Sequence, residues 1–307
     1  MKHLFFISAL CLLLASCQVA EVGEDTGTAS NSAPTSLSVY DQLKDQPNGT
    51  YEVDGVKYKK FTVTATGMEE SIITARSTAT EASMTDIYVF DTSTSTSTST
   101  LLLHQASTDE GFGTMTLILP YGDHSLTFIA GRGKGVAYSD GVLSWTKPRQ
   151  TYTCQKNITI QGATRLEQQV TMSRYDAQLK VMADDELPAG VKADYTLSER
   201  YTGINVATLA PTSRTASWAW TEDFTGDEGK TGTYMSFYLF LPDEDGTVDV
   251  KVRYYDTAGT LAEHTKAGVT LQRNAVTTLH GELLKASNDT ELTFDTQMNT
   301  PIDVPMY

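Results

Sequence analysis

The chain has 307 residues, 40% hydrophobic and 20% charged, and its 38 acidic residues outnumber 23 basic ones for a formal charge of −15. That length carries a sizeable core, by size that of two domains. The charge excludes a nucleic-acid binder, because no surplus of lysine and arginine is present to neutralise phosphates, and it disfavours anionic membrane surfaces.

Lys2 and His3 precede an apolar run from Leu4 to Leu14 broken by Ser8. This is a charged n-region and an h-region of signal-peptide length, too short to span a bilayer as a helix. Leu14-Ala15-Ser16-Cys17 follows and resembles a bacterial lipobox. Residues 1–16 are therefore expected to leave as a signal peptide, with lipid on Cys17; an ordinary secretory signal is the alternative. Cys11 goes with the signal, so Cys154 is left alone and no intrachain disulfide is expected. Cys154 reads as a small buried hydrophobe.

Residues 17–50 read as a lipidated flexible tether, rich in Ser, Thr, Gly and acidic residues. Its Glu21, Glu24 and Asp25 resemble surface-export signals of Bacteroidetes lipoproteins, with plain solvation as the alternative reading.

From Phe61 the pattern has period two: Phe61, Val63 and Ala65 face one way, Thr62, Thr64 and Thr66 the other. A second strand is Ile87-Tyr88-Val89-Phe90. Thr92 to Thr100 alternates Thr and Ser with no apolar face, which predicts an exposed loop. The runs 114–119 and 125–130 flank Pro120-Tyr121-Gly122-Asp123 and predict a hairpin. Gly131, Gly133 and Gly135 predict a loop. Residues 152–160 predict a strand, and 169–183 one long strand. Further strands are expected at 193–197, 204–209, 217–221, 234–241, 248–255, 269–271 and 276–284. The 46 threonines and 15 tyrosines suit such surfaces. No window shows a convincing 3.6-residue period. The expected class is all-β: two antiparallel β-sandwich domains at 51–165 and 166–285, with a C-terminal tail over 286–307.

Chemistry is sparse. None of His3, His104, His124, His264 and His280 has a second His or Cys at metal-ligand spacing. No nucleophile elbow, P-loop or dinucleotide fingerprint is present. Asp243-Glu244-Asp245-Gly246 reads as a turn, lacking the distal glutamate of a calcium loop. No metal, cofactor or catalysis is expected. Trp218 and Trp220 share one strand face, as core or, if exposed, as a platform for sugar rings. Asp256-Thr257-Ala258 fits a loose O-glycosylation pattern.

The ends carry more information. Residues 69–80 form a polar segment with one basic residue, Arg76, followed by Ser77 and flanked by small residues. That suits a trypsin-like protease; an ordinary surface arginine is the alternative. At the other end Ile302, Val304 and Met306 alternate up to Tyr307. Pro301 and Pro305 remove backbone donors from one edge of this tail only, so it can add to a sheet as an edge strand, in its own fold or a neighbour's.

In this order the lipobox, the tether, Phe61-Thr62-Val63-Thr64-Ala65-Thr66, Thr74-Ala75-Arg76-Ser77 and Ile87-Tyr88-Val89-Phe90-Asp91 resemble the opening of Bacteroidetes fimbrillins. The 119–130 segment, Met172-Ser173-Arg174-Tyr175-Asp176-Ala177 and Leu271-Gln272-Arg273-Asn274-Ala275-Val276 are similar too. The resemblance implies two tandem transthyretin-like sandwiches and a lipid-anchored precursor of a fimbrial subunit. It implies cleavage at Arg76-Ser77, loss of the strand bearing Phe61, Val63 and Ala65, and a donor strand bearing Ile302, Val304 and Met306. The implied partners are other fimbrial subunits, the outer membrane through the lipid, and a host or bacterial surface receptor or glycan; the implied location is the outer-membrane surface, then the fimbrium. The tail departs from the family in its prolines and in lacking a terminal tryptophan. The alternatives are a non-polymerising anchor subunit, which keeps its lipid uncut, and a surface lipoprotein binding glycans through Trp145, Trp218 or Trp220.

Overall fold

The computed structural model describes residues 38–68, 84–93 and 98–284, together with the backbone of 293–298. In chain order the elements are helix α1 (Val39–Leu43) and strands β1 (Gly49–Val53), β2 (Val56–Thr66), β3 (Asp86–Thr92), β4 (Ser99–Ala106), β5 (Thr114–Pro120), β6 (Gly122–Gly131), β7 (Lys134–Ser139), β8 (Val142–Lys147) and β9 (Thr151–Ile160). They continue as β10 (Glu167–Thr171), β11 (Ser173–Arg174), β12 (Ala177–Ala183), β13 (Lys192–Asn205), β14 (Pro211–Asp223), β15 (Thr233–Leu239), β16 (Asp245–Asp256), β17 (Gly259–Gln272), β18 (Ala275–Gly281) and β19 (Thr293–Met298). The chain is all-β, as its composition and alternation predict.

The first sandwich is built around β2. β5 pairs with it antiparallel on one side, while β1 and then β10 occupy the other, β10 running parallel. The facing sheet runs β11-β9-β6-β3-β4. Phe61, Val63 and Ala65 point between the sheets with Val89, Leu117 and Phe128, while Thr62, Thr64 and Thr66 alternate on the other face. In the second sandwich one sheet runs β15-β12-β18-β19, and the other runs β17-β16-β13-β8-β7 with β14 along β13. Tyr195, Leu197, Val250, Val252, Leu179 and Val181 fill its core. Most pairings are antiparallel; β10 on β2 and β12 on β18 are parallel.

Several local expectations change. The 114–130 segment is not a hairpin: β5 pairs with β2 in one sheet and β6 with β3 and β9 in the other. The Pro120–Gly122 corner carries the chain across the core, so both apolar runs line it from opposite sides. The long strand expected over 169–183 breaks at 172 and 175–176, because the chain passes there from the first sandwich to the second. The glycine loop at 131–135 runs into the hairpin β7–β8, which leaves the first sandwich and pairs with β13. β10 and β11 lie beyond the expected boundary at 165 yet pair with first-sandwich strands. The tether was expected to run to residue 50, but residues 39–43 form α1 and β1 begins at Gly49.

Lys60 explains why that short helix holds. Ser38 caps its start by accepting from the Asp41 amide. The buried Lys60 ammonium of β2 then donates to the carbonyls of Leu43, Lys44 and Gln46 just past its end. Those carbonyls have no partner within the helix, and a cation is favourable there.

The two sandwiches share a joint. β3 and β6 bury both faces: Tyr88, Phe90 and Ile129 pack outward on Leu143, Trp145, Ile204 and Val206 of the second unit. Strands covered on both faces read as unbroken apolar runs, as 87–90 and 128–130 do. At the crossing, the Arg174 and Asp176 side chains are 2% and 0% exposed, and their closest N–O distance is 2.9 Å. Asp176 Oδ1 accepts from the Thr151 amide at 2.7 Å, and the Asn274 amide donates to the Asp176 carbonyl at 3.0 Å. Arg273 lies over the Tyr175 ring at 4.6 Å and donates to the Leu241 carbonyl at 2.6 Å. The sequence motifs around 172–177 and 271–276 thus form one knot.

The Pro120–Gly122 corner is held by His124. Its Nδ1 lies 2.6 Å from Asp91 Oδ2, and its Nε2 lies 2.9 Å from the Pro120 carbonyl. The Asp91 hydrogen bond above all, with the Pro120 carbonyl and the charges of Asp91 and Asp123, raises the imidazole pKa against the opposing effect of burial. A raised folded-state pKa stabilises the fold fully below the ordinary histidine value of about 6.5. The gain is lost as pH rises through the folded value. Thermal unfolding midpoints are therefore expected to fall as pH rises above about 6.5, and His124→Gln to flatten that slope. An unchanged slope in the variant would show that another group titrates.

Candidate functional site

The site that the chain's own pattern singles out is the bed of β2. Removing this strand would leave a groove walled by β5 and β10 and floored by residues of β3 and β6 such as Ile87, Val89, Leu126 and Phe128. Phe61 is fully buried there, at 0% exposure, with Val63 and Ala65 buried beside it. Burying each large apolar side chain is worth about 1.5–3 kcal/mol, so the groove would be strongly apolar if emptied. Met68 and Met84, on either side of residues 69–83, are both buried in this core. Gly67 between β2 and Met68 has φ +82°, and a Cβ there would meet the Met172 carbonyl at 2.6 Å. The chain can turn out of the sheet there because that residue is glycine.

Several predicted site residues lie outside the described residues: Cys17, Arg76, Ser77, Ile302, Val304 and Met306. The structure does describe the tail's first part. β19 pairs antiparallel with β18 from His280 to Ala275, at the edge of its own sheet.

The aromatic candidates divide. Trp145 is 3% exposed, packed edge-on against Phe240 at 5.6 Å. A Cβ on Gly133 would lie 2.1 Å from its Cδ1, so the glycine backbone lies against the ring. Trp145 therefore belongs to the joint and has no open face for a sugar. Trp218 and Trp220 are half-buried on β14, with ring centroids 6.1 Å apart and an interplanar angle of 29°. Arg200 Cζ lies 4.2 Å from the Trp218 ring and Lys147 Nζ 3.7 Å from the Trp220 ring. Neither cation stands out in the sequence: Lys147 lies far off on β8, and Arg200 meets Trp218 only through the pairing of β13 with β14.

Other polar groups are tied into the fold. His104 lies 2.7 Å from Asp86, His280 2.9 Å from Asp184, and His264 2.9 Å from the Leu283 carbonyl. The Cys154 thiol is pushed up by burial, with Lys156 opposing, which makes it a poorer nucleophile. Asp256 Oδ1 accepts from the Ala258 and Gly259 amides, placing Thr257 at a hairpin tip. Among the described residues no group of three or more His, Cys, Asp or Glu could hold a metal ion. No described helix is long and apolar enough to cross a membrane.

A model for a family of unknown function, DUF6562, matches residues 134–307, beginning where β7 enters the sheet of the second sandwich. No curated protein matches the chain significantly. Among similar solved structures, a "putative cell adhesion protein" from Bacteroides ovatus is 13% identical, with 78% of this chain and 98% of that one covered and a TM-score of 0.46. The tip fimbrial protein Mfa3 from Porphyromonas gingivalis, C-terminally truncated, is 11% identical over 79% of this chain and 99% of that one, with a TM-score of 0.42. The fimbrial anchor protein Mfa2 from the same organism is 8% identical over 78% of this chain and 96% of that one, with a TM-score of 0.38. Scores of this size leave the role to be argued from the chain's own residues.

Proposed function

The chain belongs to the family of unknown function DUF6562, and from its fold and sequence pattern we propose that it is the lipid-anchored precursor of a fimbrial structural subunit serving adhesion. The observation that carries this reading is the position of β2. One strand with three buried apolar side chains sits mid-sheet between β5 and β10, directly ahead of the segment that contains Arg76. Cleavage at Arg76-Ser77 frees the N-terminal piece. Departure of β2 then opens the groove, and a strand from the next subunit fills it, with backbone hydrogen bonds supplying affinity and alternate side chains filling pockets. Lipid on Cys17 holds the precursor at the outer-membrane surface until then, and the partners are other fimbrial subunits and a surface receptor. No catalysis is part of the role.

One observation favours the non-polymerising anchor reading. The tail is already paired in its own sheet through Met298, so a donor must come from Ile302, Val304 and Met306 beyond it. Limited digestion of the lipid-free precursor with an arginine-specific protease, followed by intact mass and sizing, decides between the two. Selective cutting after Arg76, loss of the preceding segment and growth of ladders are the expected results. Resistance at Arg76, or a cut product that stays monomeric, assigns the anchor role instead.

A further inference from the structure

Two cations lie against Trp218 and Trp220, and two more stand near one of them, in a chain whose formal charge is −15. Arg200, 7% exposed, lies against Trp218, and Lys147 lies over Trp220. Lys134 and Arg149 stand close enough to push the Lys147 ammonium down, after the larger effect of burial, and Arg200 adds to them. Glu222, whose Oε2 accepts from Trp220 Nε1 at 3.1 Å, pulls the Lys147 pKa the other way. Burial pushes Arg200 down to about 10, and no charged group offsets it.

A guanidinium has five hydrogens to donate, and burying one without acceptors is costly. Among the described residues neither Arg200 nor Lys147 has a hydrogen-bond or ion-pair partner. Among the described residues the occluded side-chain atoms without a partner are Thr212 Oγ1 and Arg273 Nε, so the Arg200 nitrogens remain within reach of solvent. Indole backs these donors on one side, and no acid offsets the burial of Arg200.

We propose that Lys147, Arg200, Trp218 and Trp220 form a binding site for an acidic saccharide, a sugar chain bearing carboxylate or sulfate groups. The half-buried indoles offer apolar surface to the C–H faces of a pyranose. The guanidinium and ammonium meet the carboxylate or sulfate with charge-assisted hydrogen bonds. An acidic peptide fits less well. An extended peptide would be held along the free edge of β14, which pairs with β13 alone, whereas the indoles and the two cations against them lie on the sheet face.

The inference deepens the adhesive part of the proposed function and rests on it for where the sugar is met. The uncut precursor is titrated by calorimetry and tryptophan fluorescence with a chondroitin sulfate hexasaccharide, hexagalacturonate, neutral chitohexaose and hexaglutamate. At least one acidic oligosaccharide binds, more weakly as salt rises, while chitohexaose and hexaglutamate do not. Lys147→Gln weakens binding about tenfold or more with an unchanged unfolding midpoint, since Lys147 is half-exposed. Sulfate or carboxylate preference follows from which acidic probe wins. Failure of both acidic probes, equal binding of hexaglutamate, or indifference to Lys147→Gln overturns the proposal. Because no cleavage is involved, the result is independent of whether the protein polymerises.

Discussion

Replacing Asp176 with alanine is expected to cost about 3–5 kcal/mol of stability, the usual penalty for breaking a buried ion pair. The carboxylate is fully buried, touches Arg174 through two nitrogens and accepts from the Thr151 amide. Its loss strands buried donors from β9 and β11 at once. For units of this size the unfolding midpoint should fall by roughly 2–4 °C per kcal/mol. A double variant, Arg174→Leu with Asp176→Ala, should recover part of the loss, because apolar replacement of both partners removes the buried charge. Recovery stays partial, since the Thr151 amide still lacks its acceptor. Thermal unfolding followed by circular dichroism measures both. A loss well under 1 kcal/mol in the single variant would mean that the pair does not hold the joint.

Phe61→Ala is expected to destabilise the precursor by about 3–5 kcal/mol, the range for emptying a buried aromatic site. Phe61 is 0% exposed at the centre of the first core, where the facing sheet cannot collapse without disturbing the joint on its other face. The same variant tests strand exchange. If β2 is the leaving strand, the substituted precursor, once cut after Arg76, should assemble faster. The finished polymer should match the wild type in stability, because it no longer contains residue 61. What must break is the pairing of β2 with β5 and β10. The contacts of β2 with β1, and of Lys60 with the carbonyls after α1, stay within the departing piece. A variant polymer as weakened as its precursor would mean that β2 remains in place.

The two expectations differ in how visible they were beforehand. Phe61, Val63 and Ala65 announce a half-buried strand through strict alternation with threonine, a signal confined to six residues. The Arg174–Asp176 knot has no comparable signature. Arg174 and Asp176 are close in sequence, but Thr151 and Asn274 meet them from strands and turns far along the chain. The segment at 114–130 shows the same limit. Its two apolar runs and turn residues read as a hairpin, yet local pattern does not say whether the second strand folds back on the first or crosses to the opposite sheet. Core packing decided for crossing, with His124 holding the corner.

From residues alone one can read the all-β class, most strands, and the β2 pattern. These follow from periodicity and turn chemistry, which act over a few neighbours. Tertiary structure alone decided that β7 and β8 join the second sandwich, that Trp145 lies buried in the joint, and that Lys147 and Arg200 meet Trp218 and Trp220. Each of these depends on which strands pair and in what register, and for β7, β8, Trp145 and Lys147 the strands are distant in sequence. Strand pairing is non-local, and the side chains it brings face to face have no fixed spacing along the chain.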